Sequence, residues 1–221
     1  MKPPFFIFAF IICYAVSSAQ SLAGITGIRD TSYNIMNEYN KNLKNYPFIQ
    51  IARETPYDYI NEERNIIFCK TKERELRLDV FFPKEKFSIK RTAIIFIHGG
   101  GWRSGNKAMH YPLLQQLTAR GYVCITPEYR LSSEAIYPAG IYDIKTAIRW
   151  TRENAAKYNI DVNRIVASGH SAGGELAAFM GATNGMKAFE GNGCYQKKSS
   201  KVNAVIDLDG TLAFIHPESG E

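Results

Sequence analysis

At 221 residues, 45% hydrophobic and 13% aromatic, the chain has the size and composition of one globular domain, which excludes disordered and collagen-like classes. Its formal net charge of +6 is spread thinly: basic residues cluster at Lys197-Lys198 and Lys201, but no long single-sign block occurs, so no nucleic-acid partner is expected. No CxxC or HExxH spacing is present, so neither a metal site nor a cofactor is expected.

The first residues form a unit of their own. Lys2 supplies a positive start, Phe5 to Val16 an apolar core of twelve residues, and Ser17-Ser18-Ala19 a small-residue cleavage signal. This predicts a signal peptide over residues 1–19 and a secreted or periplasmic product. The core is too short to span a bilayer. Large apolar residues precede Cys13, which argues against a lipid anchor, so no stable membrane anchor is expected. Cleavage leaves Cys69, Cys124 and Cys194, an odd number. Cys69 and Cys124 lie in strand-like runs and are expected as buried hydrophobes; Cys194 lies in a Gly-rich loop and is expected to be exposed.

Residues 20–64 are polar and aromatic, with helical spacing at Tyr33, Met36 and Tyr39, and read as an N-terminal lead-in without assignable chemistry. A domain over 65–221 follows. Its first strands are Asn65 to Lys70 and Glu75 to Phe82, the second alternating Leu76, Leu78 and Val80 with charged residues, as a half-buried antiparallel strand does. Thr92 to Ile97 is a continuous β-branched run, the signature of a strand buried on both faces. It ends in His98-Gly99-Gly100-Gly101-Trp102, a loop of bare amides.

Pro112 is placed to open a helix whose Leu113, Leu114 and Leu117 share a face, with Gly121 as its stop. Tyr122 to Thr126 is the next buried strand, and Glu128-Tyr129-Arg130-Leu131 leaves its end; Arg130 is expected either to contact substrate or to pair with Glu128 or Asp143. A helix from Pro138-Ala139 carries the stripe Ile141, Ile144, Ile148, Thr151 and Ala155, which should pack on a sheet, and Trp150 is expected in the core. Asn163 to Ser168 then delivers Gly169-His170-Ser171-Ala172-Gly173-Gly174, followed by the helix-forming run Glu175 to Met180. Lys201 to Leu208 is a sixth strand, reading as an interior one. Alternating strands and helices predict a mostly parallel sheet covered on both faces, with functional loops at the strand carboxyl ends.

A G-x-S-x-G turn between a strand and a helix is a nucleophile elbow, or else a glycine-rich turn with an incidental serine. With both glycine motifs in this order the chain resembles the α/β-hydrolase family, in its carboxylesterase branch of the hormone-sensitive-lipase and feruloyl- or acetyl-esterase type, from about Ile66 onward. The resemblance implies the α/β-hydrolase fold, with Ser171 as nucleophile and the amides of Gly100, Gly101 and Ala172 as an oxyanion hole. It further implies a small-molecule or carbohydrate ester as substrate. Nothing in the sequence assigns an oligomeric state.

A serine nucleophile needs a histidine base oriented by a carboxylate. His98 is expected to brace the glycine loop, His110 starts a helix and His170 faces away from its neighbour Ser171, which leaves His216, only seven residues after Asp209. The family order places acid and base after two further strands, so the expectation is that the last strands, the acid and the base lie downstream, that Asp207 and Asp209 are loop residues, and that the 221 residues alone are nearly inactive. Two alternatives remain open: a prolyl-oligopeptidase-like peptidase, which shares fold and elbow, and a non-catalytic hydrolase-like binding module. The loop 184–200 either borders the acyl pocket or is a plain surface connection.

Overall fold

A computed structural model describes residues 24–85 and 88–213; the expected signal peptide and His216 lie outside the described residues. Six strands form one sheet in the order β1-β2-β4-β3-β5-β6, with β1 at Ile60–Lys70, β2 at Glu75–Pro83, β3 at Arg91–Ile97, β4 at Val123–Pro127, β5 at Ile160–His170 and β6 at Ala204–Leu208. The pairs β1/β2 and β2/β4 are antiparallel; β4/β3, β3/β5 and β5/β6 are parallel. The opening antiparallel pair and the parallel remainder match the sequence expectation.

Alternation along β3 explains the layering. Ala93, Ile95 and Ile97 point to one face, where helix α3 (Ala139–Glu153) and helix α4 (Ala172–Ala182) bury Ile141, Ile144, Ile148 and Met180 against them. Ile94 and Phe96 point to the other, against Tyr111 and Leu114 of α2 (Tyr111–Ala119). The expected stripe on α3 is buried throughout, with Ala155 just beyond the helix end, and Trp150 is in the core.

On α2 the expectation fails in part. Leu113 is exposed, and the covered positions are Tyr111, Leu114, Gln115 and Thr118. Polar residues take the inner face because each finds a partner: Gln115 Nε2 donates to Glu62 at 2.7 Å, and Thr118 Oγ1 to the carbonyl of Phe81 at 3.4 Å. A second such network lies nearby. Lys107 Nζ donates to both oxygens of fully buried Asp79, at 2.7 and 2.6 Å, and Tyr111 donates to the same carboxylate.

The cysteine expectation is overturned for two of three residues. Cys124 is a buried free thiol, but Cys69 and Cys194 are joined by a disulfide, with Cα atoms 5.8 Å apart. The loop after α4 folds back over α3, where Arg149 Nε donates to the carbonyl of Cys194 at 3.3 Å, and this carries Cys194 to the end of β1. The same loop is pinned through Glu190, which accepts from Arg149 at 2.9 Å and from Ser200. In the lead-in, α1 (Ile35–Leu43) begins at Asn34, whose side chain accepts from Asn37 N–H at 3.0 Å, and buries no residue fully.

Candidate active site

Register decides what the sheet edge presents. Ile97 of β3 lies opposite Gly169 of β5, so the glycine loop and the elbow leave adjacent strands at the same height. A Cβ placed on Gly99 would sit 3.3 Å from Ser171 Cβ and 2.7 Å from the carbonyl oxygen of His170. Two bends far apart in sequence therefore touch, and only a residue without a side chain fits between them.

Ser171 itself has φ 54° and ψ −125°, a conformation that costs an L-residue on the order of 1–3 kcal/mol. The surroundings enforce it. Its N–H donates to the carbonyl of Leu208 at 2.9 Å, its carbonyl accepts from Gly174 at 2.8 Å, and α4 begins at Ala172. The turn is so tight that a Cβ on Gly169 would lie 2.1 Å from the carbonyl oxygen of Gly173, and one on Gly173 would lie 2.1 Å from that of Ile97. The half-buried serine thus stands where strand becomes helix. Ala172, buried, contributes a first-turn N–H for which the helix offers no acceptor.

The other sequence candidates fall around it. Gly100 and Gly101 both have positive φ, +120° and +60°, and Gly101 has open space where a side chain would be. His98 is fully buried; its Nδ1–H donates to the carbonyl of Gly99 at 2.8 Å, and its ring stacks on Tyr129 at 4.5 Å. Tyr129 in turn donates from its hydroxyl to the carbonyl of His98 at 2.9 Å. His98 braces the loop as expected. Burial holds its pKa down at about 4, and burial with nearby His170 does the same for His110. Asp209 is exposed beyond β6 with φ 60°.

Of the two ion-pair partners considered for Arg130, Asp143 is the one found. Both its oxygens accept from the guanidinium, at 2.9 and 2.8 Å, and Glu73 accepts at 2.9 Å. Glu128 belongs elsewhere, accepting from Arg29 at 2.6 Å and from Arg74.

Sequence reasoning missed two features. Asp207 Oδ1 accepts the amide of Gly210 at 2.9 Å and lies 2.1 Å from where a Cβ of Gly174 would be, so β6 braces the elbow. The second is a cavity of about 430 Å³ beside the elbow, lined by Trp102, Tyr129, Tyr137, Phe179, Glu175 and Arg130 among others. No residue of the loop 184–200 lines it. Glu175 Oε2 accepts the Trp102 indole N–H at 3.1 Å, linking the elbow helix to the glycine loop, and burial raises the Glu175 pKa. Among the described residues no group of three or more His, Cys, Asp or Glu could hold a metal ion, and no helix is long and apolar enough to cross a membrane.

This architecture is shared with known proteins. The BD-FAE family model matches residues 78–221. Esterase LipC of Mycobacterium tuberculosis is 35% identical over 134 residues, which cover 60% of this chain and 33% of that protein. Bovine (Bos taurus) arylacetamide deacetylase is 36% identical over 121 residues, 52% of this chain and 30% of that protein. The chain thus aligns with about a third of the length of these curated relatives. Among solved structures, a truncated carbohydrate esterase from gut microbiota superposes with a TM-score of 0.63 at 35% identity, covering 72% of this chain and 60% of that one. Thermogutta terrifontis esterase 2 phosphonylated by cyclosarin gives 0.60 at 32% identity, covering 71% and 61%. With this sheet order, this elbow and a family match over most of its length, the chain belongs to the BD-FAE family and has the α/β-hydrolase fold of carboxylesterases.

Proposed function

We propose that the protein is a serine hydrolase of carboxylic esters, with Ser171 as nucleophile and the amides of Gly100, Gly101 and Ala172 as the oxyanion hole. The observation that carries this reading is the close approach of Gly99, where an added Cβ would stand 3.3 Å from Ser171 Cβ, to an elbow held at positive φ. In the mechanism, Ser171 Oγ attacks the ester carbonyl carbon and the oxyanion draws on amides fixed by the loop and by the helix start. Collapse of the intermediate expels the alcohol and leaves an acyl-serine that water hydrolyses. A general base and its orienting carboxylate come from outside residues 24–213. His98 is excluded from that task by burial and by its hydrogen bond to Gly99, while half-buried His110 packs its ring on Phe96.

Similarity to esterases, one of them phosphonylated in its solved structure, supports acyl transfer over a non-catalytic role. The apolar first residues support export, so substrates are met outside the cytoplasm. Treatment of the full-length protein with a fluorophosphonate should label Ser171 and abolish hydrolysis of short acyl esters. A Ser171→Ala variant should show neither labelling nor hydrolysis. Faster turnover of dipeptide amides than of acyl esters would replace the esterase assignment by a peptidase one.

A further inference from the structure

The cavity beside the elbow has an unusual electrostatic wall. The most deeply buried carboxylates elsewhere among the described residues have cationic partners: Asp79 has Lys107, Glu134 has Arg74 and Asp143 has Arg130, while half-buried Glu190 has Lys145 and Arg149. Half-buried Glu175 has no Lys or Arg partner among the described residues. Its hydrogen-bond partner is the neutral indole N–H of Trp102, and the like charge of Asp207 acts on it unfavourably. Arg130 also reaches the cavity wall, but Asp143 and Glu73 hold it and more than balance its charge. Four rings, from Trp102, Tyr129, Tyr137 and Phe179, stand in the remaining wall beside aliphatic Ile141 and Leu176.

A desolvated carboxylate without a counter-charge, set among ring faces, matches one class of ligand. A cation relieves the cost of burying the carboxylate, and ammonium groups are attracted to aromatic faces. We propose that this cavity is a subsite for an ammonium group, so that the esters handled best carry a cationic amine on the part that enters it. The assignment to substrate rests on the reading of Ser171 as nucleophile. The binding claim stands apart from it.

Two measurements separate these. Calorimetric titration with choline and with its neutral tert-butyl isostere needs no chemistry, and choline should bind at least about tenfold more tightly. Glu175→Gln should bring the two affinities together, while Glu153→Gln, on the exposed face of α3, should leave the ratio unchanged. Added salt should shrink the wild-type preference, which tests the charge term even if Glu175→Gln folds poorly. Equal binding of the two probes, absence of binding, or a preference that survives Glu175→Gln overturns the subsite. Hydrolysis of the corresponding acetate esters is the second arm. No turnover of either ester, with choline still preferred in binding, sinks the esterase reading and leaves the subsite intact. Equal turnover of both shows that the cation does not enter this cavity during the reaction.

Discussion

The side-chain oxygen of Ser104 accepts the backbone N–H of Tyr33 at 2.8 Å, and the Ser104 amide donates to the carbonyl of Gly100 at 3.0 Å. The lead-in is thereby fastened to the glycine loop. Tyr33 Cδ1 lies 3.1 Å from where a Cβ of Gly100 would stand, and Ser104 Oγ also donates toward Asp30. Replacing Ser104 by Ala removes the acceptor for a semi-buried amide. The expected loss is about 1–2 kcal/mol, which lowers Tm by roughly 2–8 °C. Hydrogen exchange should accelerate in residues 29–33 and in 99–104 together; acceleration in only one of the two segments would show that they are not coupled.

The elbow predicts an inverted preference at one site. Glycine normally weakens a folded chain relative to alanine by about 0.5–1 kcal/mol, but at φ 54° it relieves strain that alanine retains. Ser171→Gly should therefore be more stable than Ser171→Ala by about 1 kcal/mol in urea unfolding, with hydrolysis abolished in both. Alanine equal to or better than glycine would show that the serine backbone is not strained.

Close approach and backbone angle are separable at two glycines. Gly173→Ala drives a methyl against the carbonyl oxygen of Ile97, 2.1 Å away, with no flexible side chain to yield, and should cost about 3 kcal/mol or more, or prevent folding. Gly101→Ala meets no atom within 4 Å and bears only the penalty of φ +60°, about 1–2 kcal/mol. Thermal melts of the two variants check the ordering.

What the sequence made legible followed local rules. Buried β-branched runs gave β3 and β4, a helical repeat gave α3, and glycines on either side of Ser171 gave the elbow, because each is dictated by neighbours in the chain. What it hid depends on distant partners. Leu113 looked equivalent to Leu114, but Gln115 and Thr118 took the inner face through Glu62 and the Phe81 carbonyl. The pairing of Cys69 with Cys194, 125 residues apart, has no local signal at all. Nor has the bracing of the elbow by Leu208 and Asp207: the apolar run of β6 read as an interior strand, but β6 is the sheet's edge with Val205, Ile206 and Leu208 exposed, and nothing local says whose amide it will receive.

That long-range disulfide closes a 125-residue loop, and restricting so large a loop in the unfolded chain is worth roughly 4–5 kcal/mol in the chain-entropy description. Cys69→Ser with Cys194→Ser, or reduction under native conditions, should lower Tm by roughly 10–15 °C. Among the described residues, thiol labelling followed by mass should find Cys124 reactive only after unfolding, since it is fully buried, and Cys69 and Cys194 unreactive without a reductant. Labelling of Cys69 or Cys194 in the untreated native protein would contradict the bridge.

Two histidines should set the acid limit of stability. His98 donates from Nδ1 to Gly99, leaving a buried Nε2 without a partner, and buried His110 Nε2 also lacks one among the described residues. Protonation would place charge on those atoms, so both pKa values lie near 4 in the folded chain, below the ordinary 6.5. Between these values the unfolded chain binds more protons than the folded one. Stability from these rings is therefore complete above about pH 6.5 and declines as the pH falls toward 4. Each ring contributes up to about 1.4 kcal/mol per pH unit across that window. His110 packs on Phe96 at 4.7 Å, so His110→Phe keeps a ring in place while removing the titration. Urea unfolding of this variant from pH 4.5 to 7 should show a slope shallower by about one proton than that of the parent protein. An unchanged slope would mean that His110 is as free to protonate in the folded state as in the unfolded one.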